Sequence, residues 1–206
     1  SSLLQKSVTS ANNGFTVGAL AAVNSFGSVT LPGSLDFWAW PFERNAEFGG
    51  RGIPKNTLTK SNNSENQKIN EFELDFDFES PFFEVNHSRN KKSIRKKKST
   101  VNVPKNTTLC VVATDAVLTK SQAQRIAIMA QDGFARAIRP VHTPFDGDTV
   151  FVLSTGAIPL SNTPPIDIAR LGMMASDCVS RAIARGVFSA KSLGNLKSYS
   201  DYLDNN

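Results

Sequence analysis

The second half of the chain runs strand, helix, strand, helix, and that order limits the possible folds more than any other feature of the sequence. Thr107 to Ala116 (TTLCVVATDA) is rich in β-branched and apolar residues, which predicts a buried strand. Thr119, with Gln122 three residues later, forms a capping box that predicts a helix start. Ala123, Ile126, Ala127, Ala130, Phe134 and Ala137 then recur at helical spacing until Pro140 ends the run. Thr149 to Thr155 (TVFVLST) predicts a second strand. Pro165 opens a second helix that carries Ile168, Leu171, Ala175, Cys178, Val179 and Ala182, with Gly186 as its stop. Strands of near-continuous apolar character alternating with helices predict an α/β or layered α+β class, in which helices cover a sheet.

The first half is organised differently. Phe15 to Asn24 (FTVGALAAVN) predicts a buried strand ending near Asn24, and the Pro, Gly and Asn content of residues 27 to 70 predicts a long, loop-rich connection. Residues 71 to 78 (EFELDFDF) alternate strictly between apolar and acidic positions, the pattern of a half-buried or edge strand. From Asn86 to Lys105 the sequence is polar and basic, with too few apolar residues to offset the entropy of ordering it, which predicts a mobile linker.

Charge and composition narrow the function classes. The chain has 206 residues, 40% of them apolar, which is enough for a packed core, and 23 Lys and Arg against 18 Asp and Glu. Seven of those basic residues, Arg89, Lys91, Lys92, Arg95, Lys96, Lys97 and Lys98, fall within ten positions; without them sixteen face eighteen acidic ones. The net +5 is therefore a property of the linker, and the reading favours no nucleic-acid partner. The longest apolar run, Val17 to Val23, is far short of the roughly 20 residues that cross a bilayer, so no membrane partner is predicted. Cys110 and Cys178 sit in apolar segments as small hydrophobes and single out neither a cytoplasmic nor a periplasmic location. The methionines are Met129, Met173 and Met174, so Ser1 reads as the start of a processed product or a fragment rather than of translation.

Several chemistries are open at the residue level. Asp146-Gly147-Asp148-Thr149-Val150 fits the Asp-x-Asp-x-Val expression of phosphoryl-transfer aspartate enzymes, but there the nucleophilic Asp ends a buried strand, whereas here the strand follows the pair. His142 lies four residues before Asp146, a spacing compatible with a metal, yet no third cluster of His or Cys supports one. The plain alternative is a carboxylate turn that caps the start of a strand. A Ser-His-Asp arrangement would have to use His87 or His142, and neither accompanies a Gly-x-Ser-x-Gly elbow. Cys110 lies mid-strand, where a reactive thiolate is not favoured. What remains is a nucleophile that supplies its own base. A cut at the Asn106-Thr107 junction would expose a threonine whose α-amine, with a reference pKa of about 7.7 to 8.0, accepts the hydroxyl proton near neutrality.

Four ordered blocks carry a resemblance that bears on this junction. They are Phe15-Thr16-Val17-Gly18-Ala19-Leu20 through Asn24-Ser25-Phe26-Gly27; Asn106-Thr107-Thr108-Leu109 with Ala113-Thr114-Asp115; Ala135-Arg136-Ala137-Ile138-Arg139-Pro140-Val141-His142-Thr143; and Phe145-Asp146-Gly147-Asp148-Thr149. In this order they resemble the DmpA-type aminopeptidases, a family that includes β-peptidyl aminopeptidases and is related to the endo-type nylon-oligomer hydrolases. The resemblance implies a precursor that cuts itself between Asn106 and Thr107, leaving residues 1–106 as the C-terminal part of an α segment and 107–206 as a β segment. It implies Thr107 as nucleophile with its α-amine as base, Asn24 as an oxyanion-hole donor, and Asp146 and Asp148 as the pair that orients the nucleophile and its amine.

The same resemblance implies a four-layer α-β-β-α sandwich, only partly represented in this chain, with no cofactor and no metal. It also implies a homo-oligomer, a tetramer of α/β units. An N-terminal part of the α segment upstream of Ser1 would supply a further catalytic Tyr or Lys. The implied activity is hydrolysis of the N-terminal residues of peptides, amino-acid amides or related oligoamides. A Thr nucleophile with two Asp lies closer to the nylon-oligomer hydrolases, where many aminopeptidases of the family carry Ser with Ser and Glu. A 6-aminohexanoate-oligomer endo-hydrolase and a self-processing relative without turnover therefore stand as alternatives, and a nucleic-acid-binding module acting through the basic tract as a remote one.

Overall fold

A computed structural model describes residues 2–6, 14–53 and 106–203. Four strands form one sheet in chain order: β1 (Ser2–Lys6), β2 (Thr16–Ala22), β3 (Leu109–Ala116) and β4 (Thr149–Ile158). β1 with β2 and β2 with β3 are antiparallel, whereas β3 and β4 are parallel and joined through helices. The strands predicted over 15–24, 107–116 and 149–155 correspond to β2, β3 and β4. The edge strand β1 had no counterpart in the sequence reading, because its five residues (SLLQK) are too few and too mixed to establish a period. The predicted strand at 71–78 and the basic linker at 86–105 lie outside the described residues, as does His87.

Val17, Ala19 and Ala21 of β2 and Cys110, Val112, Thr114 and Ala116 of β3 alternate onto one face, where they are buried. Helix α3 (Pro164–Phe188) lies against this face and buries Leu171, Ala175, Cys178, Val179, Ala182 and Ile183. Its 25 residues include Asp167, Arg170, Asp177, Arg181 and Arg185, and no helix among the described residues is long and apolar enough to cross a membrane. The opposite face of the sheet presents Leu20 (51% exposed), Phe151 (55%) and Leu153 (58%). Of the four layers the resemblance implies, the described residues thus build one sheet and the helices on one side of it, a mixed α/β arrangement.

Two helix boundaries differ from the sequence reading. The single helix predicted up to Pro140 is divided into α1 (Lys120–Ala130) and α2 (Asp132–Ala137). At the break the backbone tightens to i→i−3 bonds, Gln131 N–H to Ile128 O at 3.3 Å and Phe134 N–H to Gln131 O at 3.0 Å. The cause is tertiary. A Cβ at Gly133 would lie 2.5 Å from Ser176 O, so the chain passes α3 in direct backbone contact there, and Ser180 Oγ donates to Gly133 O. The second difference is at the end of α3, which continues through Gly186 to Phe188. An interior glycine costs roughly 1 kcal/mol of helix propensity, and the packing of Phe188 on the Tyr199 ring, centroids 5.6 Å apart, opposes that loss. The capping box is as predicted: Gln122 N–H donates to Thr119 Oγ1 and Thr119 N–H to Gln122 Oε1.

Between β2 and residue 53 the chain is largely loop, with one 3-10 turn at Trp40–Phe42. It is fixed at both ends of its path. The Phe37 ring packs on Phe48 and on Tyr199 of the short α4 (Tyr199–Leu203), and Arg181 of α3 reaches Glu47 with Nη2 3.0 Å from Oε2. Ser28 and Arg139 exchange both backbone hydrogen bonds at 2.9 Å, which brings the loop after β2 alongside the segment that precedes β4.

Candidate functional site

Three chain segments meet at one end of the sheet: the loop after β2 with Asn24 and Phe26, the entry to β3 with Asn106, Thr107 and Thr108, and the turn before β4 from His142 to Asp148. In the same parallel register, three residues before the first β3–β4 pair, Asn106 and Asp146 form an isolated bridge. Asn106 N–H donates to Phe145 O at 3.1 Å, and Thr149 N–H to Thr108 O at 3.1 Å. The peptide bond between Asn106 and Thr107 is thereby held on both sides by regular pairing, while Thr107 itself is only half-buried.

The carbonyl of Asn106 carries two hydrogen bonds at this junction. Its oxygen accepts from Gly147 N–H at 2.9 Å and from the hydroxyl of the very next residue, Thr107 Oγ1, at 2.6 Å. A Cβ at Gly147 would stand 2.9 Å from Thr107 Oγ1, closer than real Cβ contacts come. Glycine at 147 therefore lets the backbone donor and the hydroxyl approach the same oxygen. The Thr107 amide N–H donates at 2.8 Å to the backbone oxygen of Asn24. The Asn24 side chain makes no hydrogen bond among the described residues, so the structure brings Asn24 to the junction through its main chain.

The two aspartates divide the remaining contacts. Asp146 accepts from Phe26 N–H on Oδ1 (3.1 Å) and from Thr143 N–H (3.1 Å) and Thr143 Oγ1 (2.6 Å) on Oδ2, so it ties the β2 loop to the turn before β4. The Phe26 and Phe145 rings, 5.2 Å apart, pack beside this tie. Asp148, its side chain 2% exposed, accepts from Thr108 N–H on Oδ1 at 2.8 Å, and its Oδ2 lies 3.1 Å from Nδ1 of His142. Neither carboxylate bonds to Thr107 directly. Asp148 fixes the Thr108 peptide that follows the nucleophile, and Asp146 fixes the backbone of Phe26 and Thr143.

All of the residues singled out from the sequence, Asn24, Asn106, Thr107, Asp146 and Asp148, are thus brought to one place. Two contributors carried no sequence signal of their own. Gly147 acts through a backbone N–H, which any residue type has. Phe26 likewise donates from its main chain. His142, which the sequence offered as a metal ligand through its spacing to Asp146, lies against Asp148. Among the described residues no group of three or more His, Cys, Asp or Glu is placed to hold a metal ion. Cys110 is no rival nucleophile: burial, reinforced by the nearby Asp148 carboxylate, pushes its thiol up to about 12.

The chain is similar to several known proteins. A model described as "Peptidase family S58" matches residues 1–199. A protein of Mycobacterium tuberculosis named as an uncharacterized aminopeptidase is 33% identical over 198 residues, which is 92% of this chain and 48% of that protein. A 6-aminohexanoate-oligomer endohydrolase of Paenarthrobacter ureafaciens is 32% identical over 71 residues, 34% of this chain and 20% of its own length. Among solved structures, the L-aminopeptidase D-Ala-esterase/amidase of Ochrobactrum anthropi, described as a variant of the Ntn hydrolase fold, superposes with a TM-score of 0.52 at 16% identity. That match covers 94% of this chain and 41% of that one, and supports the fold. The chain spans about half the length of the mycobacterial relative.

Proposed function

The chain belongs to peptidase family S58, and from that premise we propose that it forms part of a self-cleaving N-terminal-nucleophile hydrolase. It would cut itself between Asn106 and Thr107 and then hydrolyse amide bonds of peptides, amino-acid amides or related oligoamides. The observation that carries the proposal is the Asn106 carbonyl oxygen, held at once by the Gly147 N–H and the Thr107 hydroxyl. A carbonyl in that position is polarised by a fixed backbone donor and has the nucleophilic oxygen of the adjacent residue beside it.

The steps follow from those contacts. Thr107 Oγ attacks the Asn106 carbonyl carbon, negative charge gathers on the oxygen facing Gly147 N–H, and the hydroxyl proton passes to the departing Thr107 nitrogen. The C–N bond breaks and an ester joins Asn106 to Thr107 Oγ. Water then hydrolyses the ester, leaving a carboxylate on Asn106 and a free amine on Thr107. That amine remains beside the Asn24 carbonyl that accepted its N–H before cutting, and it serves as base for the same hydroxyl in each later turnover. Asp148 holds the Thr108 peptide and Asp146 holds the Phe26 loop, so the carboxylates orient the nucleophile through its neighbours. The Asn24 side-chain amide would supply a second oxyanion donor to the substrate; each such donor contributes about 2.7 to 4 kcal/mol.

Intact-mass measurement of the full protein tests this reading. Two fragments, one ending at Asn106 and one beginning at Thr107, support it, and Thr107→Ala should remain a single chain without hydrolysis of aminoacyl amides. A cut elsewhere, or activity that survives Thr107→Ala, overturns it. The likeness to a 6-aminohexanoate-oligomer endohydrolase favours a second substrate class, internal bonds of linear oligoamides. The products released from a 6-aminohexanoate tetramer separate the two classes, because stepwise removal of single units marks an aminopeptidase and dimers mark internal cutting.

A further inference from the structure

Residue 142 adopts a left-handed backbone, φ +52°, that side-chain-bearing residues rarely hold. Such a conformation persists only where its surroundings impose it, and it turns the His142 ring back toward the site. There the ring lies edge-on to Phe134, centroids 5.5 Å apart, with Nδ1 3.1 Å from Asp148 Oδ2. The two partners differ in setting: the His142 side chain is 39% exposed, the Asp148 carboxylate 2%. A buried carboxylate needs a partner for each oxygen. Thr108 N–H serves Oδ1, and the only ion-pair partner of Asp148 among the described residues is His142.

We propose that His142 is a positioning residue for the reaction: its Nδ1 clamps Asp148, Asp148 clamps the Thr108 peptide, and that peptide sets the nucleophilic Thr107 beside the carbonyl it attacks. The proposal rests on Thr107 being the nucleophile. Among the described residues no hydrogen bond joins the imidazole to the Asn106 carbonyl or the Thr107 hydroxyl, and it acts on them through Asp148. Thr108 is held from its other side by Thr149 N–H, so the peptide has one remaining freedom, rotation about the strand axis. The Asp148 bond to Thr108 N–H opposes that rotation. Without His142, Oδ2 loses its one ion-pair partner among the described residues, and the carboxylate gains by turning toward water, which releases Thr108.

Two substitutions separate the ring's role from the backbone's. Glycine accepts φ +52° at no cost but offers no side chain, whereas asparagine also tolerates that conformation and places its Nδ2 donor near the position of Nδ1. His142→Gly should slow self-cleavage and lower kcat of the cleaved enzyme on an aminoacyl amide by about tenfold or more, the scale on which partners of site-orienting groups act, with KM little changed. His142→Asn should recover most of both. Wild-type rates in a folded His142→Gly protein, or an Asn variant that melts like wild type yet is as slow as Gly, overturn the proposal. Should His142→Gly fail to fold, the Asn variant decides alone: folded and active supports the clamp, folded and slow refutes it. Thr107→Ala, run alongside, keeps the two readings apart. If that variant still cuts and turns over, the nucleophile is wrong whatever His142 does; if it is inert while His142→Gly is unimpaired, only the clamp fails.

Discussion

Gly147 N–H donates to the carbonyl oxygen of Asn106 at 2.9 Å, and the position its Cβ would occupy lies 2.9 Å from the Thr107 hydroxyl oxygen. One residue therefore sets both the polarity and the clearance of the bond proposed to be cut. Gly147→Ala leaves the N–H in place but fills the space, so Thr107 Oγ1 must swing away from Asn106. Displacements of about 1 Å at a reacting atom cost on the order of a hundredfold in rate. The expected result is a protein that folds but stays largely uncut over the time in which wild type is fully processed, read as the ratio of one band to two on a denaturing gel.

Asp146 and Asp148 are two residues apart and should fail in different ways. Asp146 accepts three hydrogen bonds from Phe26 and Thr143, none of them from Thr107. Asp146→Ala strands those donors and unties the β2 loop. The expected loss is about 3 kcal/mol of unfolding free energy, the upper end for hydrogen bonds to a charged group, measured by urea denaturation of uncut Thr107→Ala protein. In the same background Asp148→Asn, which keeps an acceptor for Thr108 N–H, should cost less stability, while in the otherwise wild-type chain it should slow cutting.

The contrast between these residues shows how far the sequence could be read. β2, β3 and β4 and the Thr119–Gln122 capping box were legible because each rests on side-chain types at fixed local spacing. The break at Gln131 was not, since it depends on Gly133 meeting Ser176 O of a helix some forty residues later. The end of α3 was misread for a similar reason: Gly186 is a local stop signal that Phe188 and Tyr199 override by packing. Within the site, the order of the blocks suggested that Thr107, Asp146 and Asp148 lie together, and the structure brings them to one end of the sheet. Their contacts were not legible. Asp148 bonds the Thr108 N–H that follows the nucleophile, Asp146 bonds Phe26 and Thr143, and the donor facing the Asn106 carbonyl is a backbone group with no side chain to announce it.

The capping box provides a control remote from the site. Thr119 Oγ1 accepts Gln122 N–H and Gln122 Oε1 accepts Thr119 N–H. Thr119→Ala removes the first bond and should cost about 1 kcal/mol. Self-cleavage and kcat should match wild type at temperatures well below the melting point. A loss of cutting in this variant would mean that global stability, not local geometry, governs processing.

The two thiols give stability a defined pH dependence. Burial pushes Cys110 up to about 12, with the Asp148 carboxylate adding to the shift. Burial also pushes Cys178 up to about 11, with opposing contributions from Arg181 and Asp177. An unfolded thiol titrates near 9. Between about 9 and the folded values the native state holds protons that the unfolded chain has released. Stability from this source is therefore complete below pH 9 and falls as the pH rises toward 11 and 12. Lysines and tyrosines titrate in the same range, so the comparison must be internal. In uncut Thr107→Ala protein, the unfolding free energy should fall between pH 8 and 10.5 by more than it does in the same protein carrying Cys110→Ala and Cys178→Ala. Equal slopes would mean that the two thiols are already solvated in the native state. In that case iodoacetamide should label them without denaturant, whereas the buried thiols described here should react only after unfolding.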